Sequence, residues 1–98
     1  MTINVTTNGE TSVVAVEGRL DTITAPELEA KLKDLFASVK NLEFDFEKLE
    51  YISSAGLRVL LTAQKTMNAK GKMTICNVNS DIMEVFDITG FGDILTIV

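Results

Sequence analysis

The chain has no histidine. Histidine triads, histidine general bases and histidine metal ligands are therefore excluded. A single cysteine, Cys76, leaves no internal disulfide and no thiolate zinc site, and makes the cytoplasm the expected compartment. Lys and Arg number 9 and form no cluster, so neither a nucleic-acid surface nor an anionic membrane patch is expected. No apolar run approaches the ~20 residues of a membrane span. Met1-Thr2-Ile3-Asn4 has neither the basic nor the apolar region of a signal peptide. The 6 glycines include no Gly-rich phosphate loop of either common type.

What is present makes one globular domain, expected to span residues 1–98 and large enough to bury one core. Apolar residues are 46% of the chain and charged residues 23%, with a net charge of −5.

Two short strands are expected at Thr2–Thr7 and Ser12–Val16. Asn8-Gly9 is a two-residue hairpin signal between them, since both tolerate positive φ. Gly18-Arg19-Leu20-Asp21 is read as leaving the second strand. Thr24-Ala25-Pro26-Glu27 reads as a helix start, with Thr24 as cap, Glu27 as its capping-box partner and Pro26 in the first turn. Leu28, Leu32, Leu35, Phe36 and Val39 then share one face. Leu42–Phe46 alternates apolar and acidic residues as a strand does. A second helix is expected from Ser54 to Lys70, stopped by Gly71. Met73–Val78 is a strand, Ser80 caps a third helix ended by Gly90, and Ile94–Val98 is an edge strand or a tail.

The expected class is α/β, in the order ββαβαβα with a possible terminal β. The sheet is mixed, mostly parallel and of four to five strands, with helices packed on it. In that topology Asp21-Thr22, Ser53-Ser54 and Asn77-Val78-Asn79-Ser80 follow the ends of parallel strands and converge along one edge, where open α/β sheets place their sites. Hydroxyls, amides and one carboxylate meet there without a base suited to catalysis near neutral pH. No enzymatic activity, cofactor or metal is expected.

The organising stretch is Tyr51-Ile52-Ser53-Ser54-Ala55-Gly56-Leu57-Arg58, where a helix begins. A serine there can be simply an N-cap worth ~1 kcal/mol. The stretch also resembles the phosphoacceptor segment of the STAS-domain anti-sigma factor antagonists. Glu17-Gly18-Arg19-Leu20-Asp21 resembles that family's Gly-x-Leu-Asp turn, and Phe86-Asp87-Ile88-Thr89-Gly90-Phe91 its late Phe-x-x-x-Gly segment. Order and spacing match from roughly Val13 to Phe91. The resemblance implies that Ser54 is phosphorylated by an anti-sigma factor that is also a kinase and brings its own ATP. It implies that the unphosphorylated chain binds this partner and frees a sigma factor, and that a phosphatase resets the switch. Asp21, Thr22, Ser53, Ser54, Ala55, Gly56 and Arg58 are the implied partner-binding residues.

Two positions depart from the family pattern. Ser53 stands where the family often has Asp, which makes it a rival acceptor, and Ala55 stands where Ser or Thr is frequent. Two other functions compete. One is a non-sigma assembly or adaptor subunit of a stress-signalling or lipid-transport complex. The other is a small enzyme using Asp21 and Ser54, which lacks a base. Asp21 also reads as a turn residue accepting backbone N–H bonds, Gly56 as a packing glycine, and Arg58 as a solvated surface residue. Cys76 reads as a buried inert thiol, Met67, Met73 and Met83 as core fillers, and Glu43, Asp45 and Glu47 as the solvent face of a strand.

Overall fold

Alternation with period two builds the sheet, and in this computed structural model, which describes Met1–Val98, five strands form: β1 (Thr2–Asn8), β2 (Thr11–Leu20), β3 (Asn41–Asp45), β4 (Leu49–Ile52) and β5 (Lys72–Cys76). Three helices join them: α1 (Ala25–Phe36), α2 (Ser54–Asn68) and α3 (Ser80–Thr89). β1 and β2 are antiparallel, while β2–β3, β2–β4 and β3–β5 are parallel. The sheet is thus mixed and mostly parallel, as expected.

Alternate residues of the long strands face the helices, even-numbered in β2 and β3 and odd-numbered in β5. Val14, Val16, Phe44, Phe46, Met73 and Ile75 meet Leu28, Leu32, Leu57, Leu60, Met67, Ile82 and Phe86 in one buried cluster. Each such side chain contributes about 1.5–3 kcal/mol by burial. Val13, Ala15, Glu43, Asp45 and Cys76 occupy the opposite face and are half-buried, while Glu47 is exposed. The acidic alternation therefore turns its carboxylates away from the core. Met67 and Met73 are buried and Met83 packs at the core margin.

Several boundaries fall elsewhere than the sequence reading places them. The hairpin loop is Gly9–Glu10, because Asn8 already pairs with Thr11. Only Gly9 has positive φ there (63°), the pattern of a turn with glycine at its first central position. β2 does not end near Gly18. That glycine (φ 90°) sits at a bulge, and beyond it the strand changes neighbour from β3 to β4. Leu49–Ile52, read as a connection, is a fifth strand. Ser53 and Ser54 consequently follow β4, not the Leu42–Phe46 strand. α2 stops at Asn68 rather than Lys70. Gly71 has no positive φ and is not a left-handed cap; a Cβ there would overlap the Lys40 carbonyl oxygen, so the two loops meet where only glycine fits. Gly90 does end α3 with φ 79°. The last strand closes at Cys76 rather than Val78. After a 3₁₀ turn at Phe91–Asp93, the tail makes a single bridge, Ile75 to Ile97.

Candidate functional site

The site forms where β2 and β4 end side by side. Leu20 pairs with Ile52, and the Ser53 amide donates to the Leu20 carbonyl at 2.9 Å. Asp21 and Ser53 therefore leave the sheet from neighbouring positions. Ser53 has extended backbone (φ −96°, ψ 176°), and its hydroxyl accepts from the Gly56 amide at 3.4 Å. It is the N-cap of α2, and its hydroxyl is engaged in that bond. Ser54 is the first helical residue, is exposed, and its hydroxyl has no protein partner. The first-turn amides of a helix lack intrahelical partners, so this hydroxyl stands at a locally positive end.

Gly56 is buried beneath the serines. A Cβ on it would lie 2.8 Å from Leu20 Cγ and 2.9 Å from Ile52 Cγ1. The absent side chain lets the α2 N-terminus descend onto the ends of β2 and β4. Gly56 therefore shapes the face from below. Ala55 is half-buried against the core. Arg58, one turn after Ser54, is exposed and forms no ion pair.

Asp21 organises the neighbouring loop. Its Oδ1 accepts from the Ile23 amide (3.0 Å), the Thr24 amide (3.1 Å) and the Thr24 hydroxyl (3.1 Å). The Thr24 amide bond above all holds this carboxyl below its ordinary pKa. Partial burial opposes that, and the Thr24 hydroxyl, the Ile23 amide and Arg19 add to it. Thr24 does not cap α1 as expected. Its hydroxyl instead donates to the Arg19 carbonyl and accepts from the Asp21 amide, both at 2.8 Å. At α3 the cap falls one residue before the expected one: Asn79 Oδ1, not Ser80, accepts from the Ile82 amide at 2.9 Å.

The expected convergence is partial. Asp21, Thr22, Ser53 and Ser54 lie together at the ends of β2 and β4. The Asn77–Ser80 segment does not join them: Asn79 Nδ2 donates to the carbonyl of Leu49, the first residue of β4, at 2.8 Å. Asn77, in the left-handed region (φ 58°), donates to Asp45 Oδ1 at 3.1 Å. No group of three or more His, Cys, Asp or Glu side chains is arranged to hold a metal ion.

Two features at this edge escape sequence reasoning. Ile23 is 87% exposed between Thr22 and Thr24. Its only sequence signal is an apolar residue that fits neither the strand alternation before it nor the Leu28–Leu32 helix face after it. Arg19 lies 4.1 Å over the ring of Tyr51, its cross-strand partner on β4, and 3.8 Å from Asp21.

The STAS domain family model matches residues 2–98. The chain belongs to the STAS domain family. BtrV of Bordetella bronchiseptica is 33% identical to this STAS chain over 87 residues, covering 87% of the chain and 75% of BtrV. The anti-sigma-B factor antagonist of Staphylococcus aureus is 31% identical over 97 residues, covering 97% of the chain and 90% of that protein. Among solved structures, an anti-sigma factor antagonist from Mycobacterium paratuberculosis superposes with a TM-score of 0.89 at 25% identity, over 98% of this chain and 83% of that one. SpoIIAA in its unphosphorylated form gives 0.85 at 22% identity, over 99% and 88%, a likeness of fold. No helix of this STAS chain is long and apolar enough to cross a membrane.

Proposed function

We propose that this chain, as one STAS domain over residues 1–98, is an anti-sigma factor antagonist switched by phosphorylation of Ser54. The unphosphorylated form binds a kinase-type anti-sigma factor in the cytoplasm and thereby frees a sigma factor. The kinase carries the ATP, a phosphatase removes the phosphate, and the chain itself catalyses nothing. The observation that carries this reading is the division of labour between the serines. The Ser53 hydroxyl is tied to the Gly56 amide, whereas the Ser54 hydroxyl is exposed and unpartnered at the helix start.

The physics of the switch follows from that placement. A phosphate on Ser54 brings about 1.5–2 negative charges. Its own helix favours it by about 0.3–1 kcal/mol through the dipole. Arg58, one turn on and unpaired, can share the charge. The domain therefore keeps its fold. A partner packed over Ser54, Thr22, Ile23 and the Arg19–Tyr51 pair must instead desolvate or repel the phosphate, at a cost of several kcal/mol. A loss of about 2.8 kcal/mol weakens binding a hundredfold.

The test is a binding titration of the unmodified chain, the Ser54-phosphorylated chain and Ser54→Asp against a kinase-type anti-sigma factor from the same host. The reading expects about hundredfold weaker binding of the phosphorylated form. Equal affinity of all three forms would refute it.

A further inference from the structure

The sheet has three outer edges, and two are protected. Beside β5 runs the C-terminal tail: the Ile75 amide donates to the Thr96 carbonyl and the Val98 amide to the Ile75 carbonyl, both at 2.9 Å. β4 is four residues long, carries Glu50, and has α3 packed against it with Asn79 bonded to Leu49. β1 has no such cover. None of its residues, Thr2–Asn8, is charged or proline, and its ladder with β2 runs without a bulge from Thr2↔Glu17 to Asn8↔Thr11. Exposed edges in monomers normally carry charges, prolines or bulges that block further pairing. Here a regular, neutral edge occurs on a chain of net charge −5.

The turn decides which backbone groups face outward. With a two-residue loop, Asn8 and Thr11 form a hydrogen-bonded pair, and the pattern then alternates. Thr2, Asn4, Thr6 and Asn8 direct their N–H and C=O groups to β2. Ile3, Val5 and Thr7 direct theirs away from the sheet. The Thr7 and Ser12 hydroxyls, 3.0 Å apart, match the closer side chains of a non-hydrogen-bonded pair.

We propose that β1 pairs antiparallel with β1 of a second copy of this chain, about a two-fold axis at Val5. Val5 then faces Val5 of the second copy, and Ile3 faces Thr7. Every outward N–H and C=O group of these three residues finds a partner. On the other face Asn4 meets Thr6 and Thr2 meets Asn8, pairs that can hydrogen-bond across the strands. Val5, 37% exposed, becomes the apolar centre of the contact. A second copy is the occupant the strand fits: it is self-complementary about its own midpoint, and its neutrality lets two acidic chains approach there without like charges meeting.

The test combines sedimentation velocity over a concentration series with amide hydrogen exchange on the full chain. Dimer is expected to grow with concentration. Added protection is expected at Ile3, Val5 and Thr7, and not at Thr2, Asn4 and Thr6, which β2 already protects. Val5→Pro removes one outward N–H and leaves the β1–β2 ladder intact, so association should weaken by about tenfold or more. Val5→Lys, which places like charges at the axis, checks the same point without a backbone change. A chain that stays monomeric throughout, a dimer whose protection appears elsewhere, or dimers that survive both substitutions would overturn the proposal.

Discussion

The Ser53 amide and the Leu20 carbonyl are joined at 2.9 Å, so the start of α2 is tied to the end of β2. Through that bond the phosphoacceptor candidate and the Asp21 loop lie side by side on one edge. The approach it requires is close, and Gly56 is what permits it.

Gly56→Ala tests that approach. The added methyl meets Leu20 and Ile52 at less than van der Waals distance. Overpacking costs about 1–3 kcal/mol, and alanine returns up to about 1 kcal/mol of helix propensity. A net loss of about 1–2 kcal/mol is expected in urea unfolding, read as a lower midpoint at unchanged slope. An unchanged midpoint would mean that Leu20 and Ile52 yield freely and the packing is not tight.

The two serines should separate in stability. Ser53→Ala removes a cap whose bond is long, 3.4 Å, so a loss near the low end of the capping range, about 0.5–1 kcal/mol, is expected. Ser54→Ala removes an exposed, unpartnered hydroxyl and is expected to stay within about 0.5 kcal/mol of wild type. Thermal unfolding of both variants checks this. A larger loss at Ser54 would give that residue a structural role.

Asp21 makes stability depend on pH. Its folded pKa lies below the ordinary 3.8, chiefly through the Thr24 amide. The ionised form is therefore favoured by folding. That contribution is full above the unfolded value and fades as pH falls through the folded one. Asp21→Asn is expected to be less stable than wild type near pH 7, and the gap is expected to narrow below about pH 4. Chemical denaturation at both pH values reads it, and a gap independent of pH would contradict the assignment.

Cys76 is expected to react slowly. Burial first, then the charges of Glu43 and Asp45, push its thiol above the usual 9.0. Alkylation at pH 8 should be slower than for an unfolded control, since the thiolate is the nucleophile. Glu43→Gln should speed it up. Equal rates in the folded chain, the unfolded chain and Glu43→Gln would show that neither burial nor charge governs this thiol.

Long periodic segments were legible in the sequence: the Leu28–Leu32 face, the Leu57–Leu60–Met67 face and the alternation through Phe44. So was Gly90, because a left-handed cap demands one residue type. Short or competing signals were not. Leu49–Ile52 is buried only at its two ends and shows no alternation, so β4 emerges only from pairing with β2 beyond the Gly18 bulge. Caps slipped because adjacent polar residues compete. Asn79 precedes Ser80 and takes the cap, and the Thr24 hydroxyl is turned back to the Asp21 amide and the Arg19 carbonyl rather than to its own helix. The serine pair was legible as a helix start. Which hydroxyl is free depended on one bond to Gly56. Ile23 was invisible as a surface feature until the loop was placed.

The most direct test is the phosphorylation state of the tryptic peptide Leu49–Arg58, which contains both serines. The chain is purified from its own host across growth and stress conditions, and the peptide is sequenced by tandem mass spectrometry. The account predicts phosphate on Ser54 and an unmodified Ser53. Phosphate on Ser53 alone would contradict the division of labour between the two hydroxyls, and no phosphate under any condition would contradict the switch itself.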